Sequence, residues 1–440
     1  MTESAVSSVM AKTPAPNSPD ARVAGAMRSF SSEIGALSAF RLESCIHCGI
    51  CAESCHFYIA TEDPKYTPIW KIEPFKQAYK REASAFAPIF RAFGLKRKVT
   101  ADQLTEWQHL LFDSCNMCGR CSLICPMGID IAALIEQARH AMFEAGLAPQ
   151  ELYARAAYQS KTGQPEASIE PYRDQLIAIG KQFGVPIPMD EVDVDVMLCV
   201  PRTDIDHYPE AVAALARVME HLGVSCTFRS DGLIAENYGY FAGGKAWQRE
   251  ISERLIAQAI ACEAKVLLVP ECGHAYTALR WEAADLYGQP LPFLVKHVTE
   301  FIAEALEAGK LSLNQAKSGV STFHDPCQLV RKGGVKKAPR QIMKALGVEL
   351  RELENHGGLS FCCGGGGGVI DITGAASLRY RTMEIKLREI DNTNADTFLT
   401  TCSDCRRTFD DAQQHFNWNK RPTSLLELVA ENLPPTRVDV

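Results

Sequence analysis

The sequence predicts a multidomain α + α/β protein, and two observations predict it. From about residue 192 short apolar runs (Val194–Val200, Lys265–Val269, Val320–Phe323, Thr397–Thr400) alternate with amphipathic stretches (Pro209–Leu222, Ala246–Ala261, Pro292–Glu307, Gly374–Ile390). Such alternation favours parallel strands with helices packed on the sheet. Ahead of it, helical periodicity surrounds two dense cysteine blocks.

The chain has 440 residues, room for two to four domains with a well-buried core. Its 46 basic residues are outnumbered by 53 acidic ones, which argues against a nucleic-acid surface. Of 17 cysteines, 13 fall into tight sets, a pattern of metal binding in a reducing compartment rather than of disulfide staples. The Ala-, Ser- and Pro-rich start lacks the basic and apolar regions of a secretory signal. No run approaches the roughly eighteen apolar residues of a spanning helix. The expectation is a cytoplasmic protein without a transmembrane segment, reaching the inner face of a membrane only through a partner subunit.

Taken in order, residues 1–38 read as disordered and 39–147 as a helical domain. Within it, a helix is expected near Ile69–Arg81, another from Thr100 with Gln103 closing a capping box, and a third capped by Asp130 and ended by Gly146. Residues 148–191, with several prolines, read as a connector. Two α/β lobes follow, 192–310 and 311–440, and they repeat faintly. Val266–Ala275 lies over Thr397–Cys405, and Glu236–Tyr240 lies over Phe361–Gly365, so the first lobe keeps Cys272 and has Asn237-Tyr238 in place of a cysteine pair.

Both cysteine blocks read C-x2-C-x2-C-x3-C: Cys45, Cys48, Cys51, Cys55, then Cys115, Cys118, Cys121, Cys125, the last followed by Pro126. Three closely spaced thiolates hold one face of a cubane, and the fourth ligates the other cluster in two-cluster ferredoxins. One [4Fe-4S] cluster is therefore assigned to Cys45, Cys48, Cys51 and Cys125, and a second to Cys115, Cys118, Cys121 and Cys55. Zinc prefers two pairs split by a longer loop. His47 and His56 read as partly exposed polar residues between ligands, with tuning of a cluster as the sharper alternative.

The second lobe carries Cys327, Cys362-Cys363 with five glycines behind them, and Cys402-Ser-Asp-Cys405. Five cysteines exceed what one cubane needs. A redox disulfide or buried thiols are the minor alternative for Cys362-Cys363. A phosphate loop is disfavoured because no Lys-Ser/Thr follows the glycines. Cys199, Cys226 and Cys262 read as buried small residues, and Arg331, Lys332, Lys336 and Lys337 as a solvated charge run.

His324-Asp-Pro-Cys327, Cys362-Cys363-Gly364 and Cys402-Ser-Asp-Cys405 resemble the cysteine-rich CCG domain of heterodisulfide reductases. With the two ferredoxin blocks ahead of them, the order resembles the fused catalytic subunit of that family and its bacterial relatives, and the Glu271-Cys272-Gly-His274-Ala-Tyr276 segment with its degenerate lobe looks most like the DsrK/HmcF-type branch. Iron–sulfur subunits of glycolate, lactate and glycerol-3-phosphate oxidases share the plan. The resemblance implies an α-helical ferredoxin domain followed by two CCG-type α/β lobes, the first degenerate. It implies a noncubane [4Fe-4S] cluster on Cys327, Cys362, Cys363, Cys402 and Cys405, reactive toward a disulfide or thiol pair and wired through the two cubanes. His324 and His274 are candidates for protonating a released thiolate, a structural role being the plainer reading. The implied partners are a membrane cytochrome b-type subunit, a flavoprotein or an electron-transfer flavoprotein. The rival reading is an oxidoreductase subunit that only carries electrons from a flavoprotein dehydrogenase to a membrane quinone-reducing partner.

Overall fold

Ser18 caps the first helix, α1 (Pro19–Ser32): its Oγ accepts from the Ala21 amide at 3.2 Å, and Pro19 occupies a position where no amide is missed. This computed structural model describes residues 18–83, 86–93, 99–168, 170–317 and 319–435. The segment 1–38 was expected to be disordered; residues 1–17 lie outside the described residues, and the remainder departs from that expectation. Ala26 and Phe30, four residues apart on one face of α1, are fully buried, and the Phe30 ring packs on Phe75 and Trp107 with centroids 5.6 Å away from each. Val23 and Met27 pack against the same core, so an apolar face at helical spacing anchors the segment.

Two units divide the chain. The first comprises residues up to Ser160 together with Tyr238–Gln248 and Gly364–Ile385; the second comprises Lys161–Asn237, Arg249–Cys363 and the residues from Lys386 onward. In the first unit α2 (Pro68–Ala78) and α3 (Ala101–Gln108) form where the insert between the cysteine blocks was read as helical. The capping box is present: Thr100 Oγ1 accepts from Gln103 N at 3.2 Å, and Gln103 Oε1 accepts from Thr100 N at 3.0 Å. Asp130 caps α4 (Ile131–Glu144), whose Leu134, Ile135, Ala138 and Met142 enter the core. The expected connector, 148–191, instead contains α5 (Gln150–Thr162) and α6 (Tyr172–Phe183). Its prolines stand at helix boundaries, Pro171 at the N-cap of α6, where they permit helix rather than break it.

The second unit contains two four-stranded parallel sheets. The strands are β1 (Val196–Leu198), β2 (Cys226–Phe228), β3 (Val266–Val269), β4 (Leu294–His297), β5 (Val320–Phe323), β6 (Glu349–Leu350), β7 (Thr397–Thr400) and β8 (Pro422–Ser424). Their orders, β2-β1-β3-β4 and β6-β5-β7-β8, are the same walk through space, which gives the faint sequence repeat its structural counterpart. Leu198 pairs with Leu268 and Phe323 with Leu399, so equivalent residues hold equivalent register. The four outer strands, of two to four residues, escaped the sequence reading. β4 was absorbed into the helix expected over Pro292–Glu307, because apolar residues run without a breaker into α9 (Val298–Glu307); α7 (Pro209–His221) and α8 (Lys245–Ala261) precede it. His297 makes the junction, its Nδ1 accepting from the Thr299 amide at 3.3 Å.

Helices α10 (Ala338–Ala345), α11 (Ala376–Asn392), α12 (Ser403–Phe416) and α13 (Leu425–Glu431) complete the second lobe. The lobes are not independent: Leu198, Leu268 and Val298 of the first share one core with Phe323, Ile342, Leu399 and Leu426 of the second. Among the described residues no helix is long and apolar enough to cross a membrane.

Candidate iron–sulfur centres

In each cysteine block a left-handed residue reverses the chain between thiols: His47 and Gly49 in the first, Met117 and Gly119 in the second. Those turns aim Cys45, Cys48 and Cys51 into a hollow that is completed by Cys125 from the other block. Cys115, Cys118 and Cys121 line a second hollow, completed by Cys55. All eight thiols are free. Thiols converging in fours, with apolar walls such as Ile69, Ile72, Ile129 and Ile135, fit the donor set of an iron–sulfur cubane. The surroundings differ. Cys48 is exposed, while burial pushes the Cys51 thiol of the first hollow up to about 11 and raises the Cys115 and Cys121 thiols of the second. His56 is buried rather than partly exposed, its Nε2 lying 2.7 Å from Asn116 Oδ1. Lys76 Nζ lies 2.6 Å from His47 Nε2.

In the second unit, strand ends deliver the other cysteines. β5 runs directly into His324-Asp325-Pro326-Cys327, and β7 is followed after Thr401 by Cys402, the N-cap of α12. Cys362 and Cys363 arrive on a loop fastened at several points. The Arg331 guanidinium donates to the carbonyls of Gly358 and Ser360 at 3.0 and 2.6 Å, and Asp325 accepts from the Gly357 amide at 2.6 Å. Arg340 grips Asp325 in a two-pronged pair, both bonds 2.9 Å, which with the other contacts holds the Asp325 carboxyl below its ordinary range despite burial. Arg331 therefore departs from the solvated charge run in which the sequence placed it. Arg340 carried no sequence signal because Asp325 and Glu352 are remote from it along the chain, and Lys386, buried beside Ser360 and Glu389, carried none because its burial is set by packing.

All five sulfurs are buried and free. Cys327 Sγ stands 3.7 Å from Cys362 Sγ; Cys363 is hydrogen-bonded to Cys362 and to Cys405, and Cys405 to Cys402. Donation from Cys362 and Cys405 pulls the Cys363 thiol down to about 5, while hydrogen bonding and burial push Cys327 and Cys405 up. The donor atoms of His324, Cys363 and Cys405 lie within 4.8 Å of one another. His324 is wholly buried, and neither ring nitrogen has a hydrogen-bond partner. Burial holds it well below the usual histidine range, so its ring is neutral. A soft, dense sulfur set with a neutral imidazole beside it suits a thiophilic metal cluster. His274 is buried two residues after Cys272 and is not among the side chains whose donor atoms converge.

The first lobe shows why one set is complete and the other is not. With Leu198 and Phe323 at the same place in their sheets, Arg202 falls where the second lobe has Cys327. Cys272 caps a helix as Cys402 does, its Sγ accepting from the Ala275 amide at 3.4 Å. Asn237 donates to Ser252 Oγ at 3.2 Å. The chain passes between the units within one residue of the corresponding point of each lobe, after Asn237 and after Cys363. Cys199 and Cys262 are buried as expected, and Cys226 is half-buried.

Residues 41–129 match the 4Fe-4S dicluster domain family, and residues 321–410 match the cysteine-rich CCG domain family. The chain joins a 4Fe-4S dicluster domain to a CCG domain. It is 25% identical over 416 residues to a subunit of the dihydromethanophenazine:CoB–CoM heterodisulfide reductase of Methanosarcina barkeri, covering 92% of this chain and 97% of that one. It is 24% identical over 413 residues to "Hdr-like menaquinol oxidoreductase iron-sulfur subunit" of Archaeoglobus profundus, covering 82% and 72%. It is also 27% identical over 382 residues to "EtfAB:quinone oxidoreductase" of Syntrophomonas wolfei, and there it spans about half of the relative, 52%, and 81% of its own length. The CCG-domain chain is thus similar to iron–sulfur oxidoreductase subunits of the heterodisulfide-reductase type.

Proposed function

We propose that this chain is the catalytic iron–sulfur subunit of a heterodisulfide-reductase-like oxidoreductase, acting on a disulfide or thiol pair at Cys327, Cys362, Cys363, Cys402 and Cys405. The observation that carries the reading is the gathering of five buried, free sulfurs, with Cys327 Sγ 3.7 Å from Cys362 Sγ and the donor atoms of His324, Cys363 and Cys405 within 4.8 Å of one another. Cubanes on Cys45, Cys48, Cys51, Cys125 and on Cys55, Cys115, Cys118, Cys121 supply one-electron conduction, and a noncubane cluster on the five sulfurs supplies thiophilic iron. The protein's part is to hold the sulfurs close and largely dry. Arg331 and the Asp325–Arg340 pair fix the Cys362-Cys363 loop, and His324 presents a neutral ring to the same spot. The exposed Cys48 rim suits electron exchange with a cytochrome b-type, flavin or electron-transfer-flavoprotein partner, and the assembly would sit on the inner face of a membrane.

The test is to reconstitute the protein anaerobically and watch its EPR spectrum during addition of a panel of disulfides under reducing conditions. A new or shifted signal from the third cluster, lost in Cys363→Ser, supports the reading. The relative named as an EtfAB:quinone oxidoreductase favours a second reading, in which the chain carries electrons and has no substrate of its own. Disulfides that never perturb the spectrum, with rapid reduction by a flavoprotein, would select it.

A further inference from the structure

Helix α2 carries a cation into the wall of the second thiol hollow. Lys71 is 2% exposed, and its Nζ stands 3.6 Å from the Sγ of Cys55 while also donating to the Ser114 carbonyl. The Phe57 ring covers it at 4.6 Å. Among the described residues no carboxylate makes an ion pair with it. A buried ammonium without a counter-charge is strongly disfavoured, and a hollow holding four thiolates around iron is the natural place for that counter-charge. The first hollow is built differently: its lining includes His47 but no lysine or arginine, and Lys76 addresses His47 rather than a sulfur.

We infer that Lys71 is a positioning residue that sets the reduction potential of one cubane, the one assigned to Cys55, Cys115, Cys118 and Cys121, through a charged N–H···S hydrogen bond to Cys55. The inference rests on that ligand assignment. Hydrogen bonds to sulfur and nearby charge are levers on cluster potential. A fixed positive charge favours the state carrying one electron more, so Lys71 offsets the lowering that burial alone imposes. One electron arrives from the external redox partner and is passed on singly, and no bond is made or broken. The choice of cubane has a consequence for the chain. Asn116, between Cys115 and Cys118, donates to the carbonyls of Gly364 and Gly366 at 2.7 and 3.0 Å, and Gly364 is the residue that follows Cys363. Lys71 thus acts on the thiol loop that is fastened to the glycine run behind the double cysteine.

The experiment is an EPR-monitored redox titration of the reconstituted full chain, with dithionite and ferricyanide, in wild type, Lys71→Met and Lys71→Arg. The expected result is a more negative midpoint for one cubane signal in Lys71→Met, an unchanged midpoint for the other, and restoration toward wild type in Lys71→Arg. Two cubane signals with unchanged midpoints in Lys71→Met overturn the inference, as does an equal shift of both. Should Lys71→Met fail to assemble its cubane, wild-type protein grown with 15N-lysine decides: a nitrogen hyperfine coupling on one reduced cubane supports the hydrogen bond, and its absence overturns it. A wild type that never shows two cubane signals defeats the ligand assignment itself, a distinct failure.

Discussion

Cys363 accepts hydrogen bonds from two neighbouring thiols, and this geometry lowers its pKa more than burial raises it. Replacing it with serine removes the soft central donor while leaving both thiol hollows of the first unit untouched. Cys363→Ser is expected to abolish the third cluster's signal and to lower bound iron from about twelve to about eight atoms per chain, with both cubane signals retained; iron analysis and EPR on one sample check it. Asn116 offers a second test at this scale. Its side chain spans His56 and two glycine carbonyls. Asn116→Ala orphans these buried groups, so a loss of about 3 kcal/mol is expected in chemical denaturation of the first unit. The cysteines were legible because ligand spacing is local. Asn116, Arg331 and Lys71 were not, since a polar residue between or behind ligands looks the same in sequence whether it faces solvent or a buried carbonyl.

Among the elements, the glycine run and helix α4 depend on each other. Gly367 has φ +65°, and a Cβ there would come within 2.9 Å of the Asn116 backbone. Neither the left-handed conformation nor the contact with fixed backbone tolerates a side chain. Gly367→Ala should therefore destabilise the first unit by about 2 kcal/mol or more and reduce cluster loading, read by thermal melting and iron content. From α4, Arg139 is wholly buried and donates to the carbonyls of Leu111, Cys115, Phe241 and Gly367 at 2.7–3.1 Å. Four carbonyls would lose their donor in Arg139→Met, and a loss above about 3 kcal/mol is expected in the same melts. The periodicity of α4 was plain in sequence, because a 3.6-residue apolar pattern is local. The four outer strands were not, because polar residues such as Thr227, Lys296, Glu349 and Thr423 break them up and no local apolar run marks them.

Across the whole molecule, the second unit encloses a set of carboxyl groups whose ionised form burial disfavours. Burial pushes Glu236 up to about 8 and Glu427 up to about 7, and raises Glu271 and Asp204 as well. Arg406 answers only part of this charge, 2.6 Å from Glu427 and 3.7 Å from Glu271. Because these folded-state pKa values lie above the unfolded ones, folding takes up protons. The stabilisation is full below the ordinary carboxylate range and is lost as pH rises through 7 to 8. The unfolding temperature of this unit should thus be lower at about pH 8.5 than at about pH 6, and Glu236→Gln should flatten that slope. Lowered carboxyls such as Asp190 act in the opposite sense, below their ordinary range, and so lie outside this window.

From the sequence alone came the two thiol blocks, the α + α/β order, the incomplete first lobe and the resemblance that names its chemistry. Each of these is written in spacing between near neighbours or in a motif whose residues travel together. The tertiary structure decided that residues 19–32 and much of 148–191 are helical, that the two lobes share a core, and that Arg331 fastens the loop before Cys362. It alone placed Lys71 against Cys55 and His324 beside Cys363, because those encounters join groups from separate elements, and only packing chooses which elements meet.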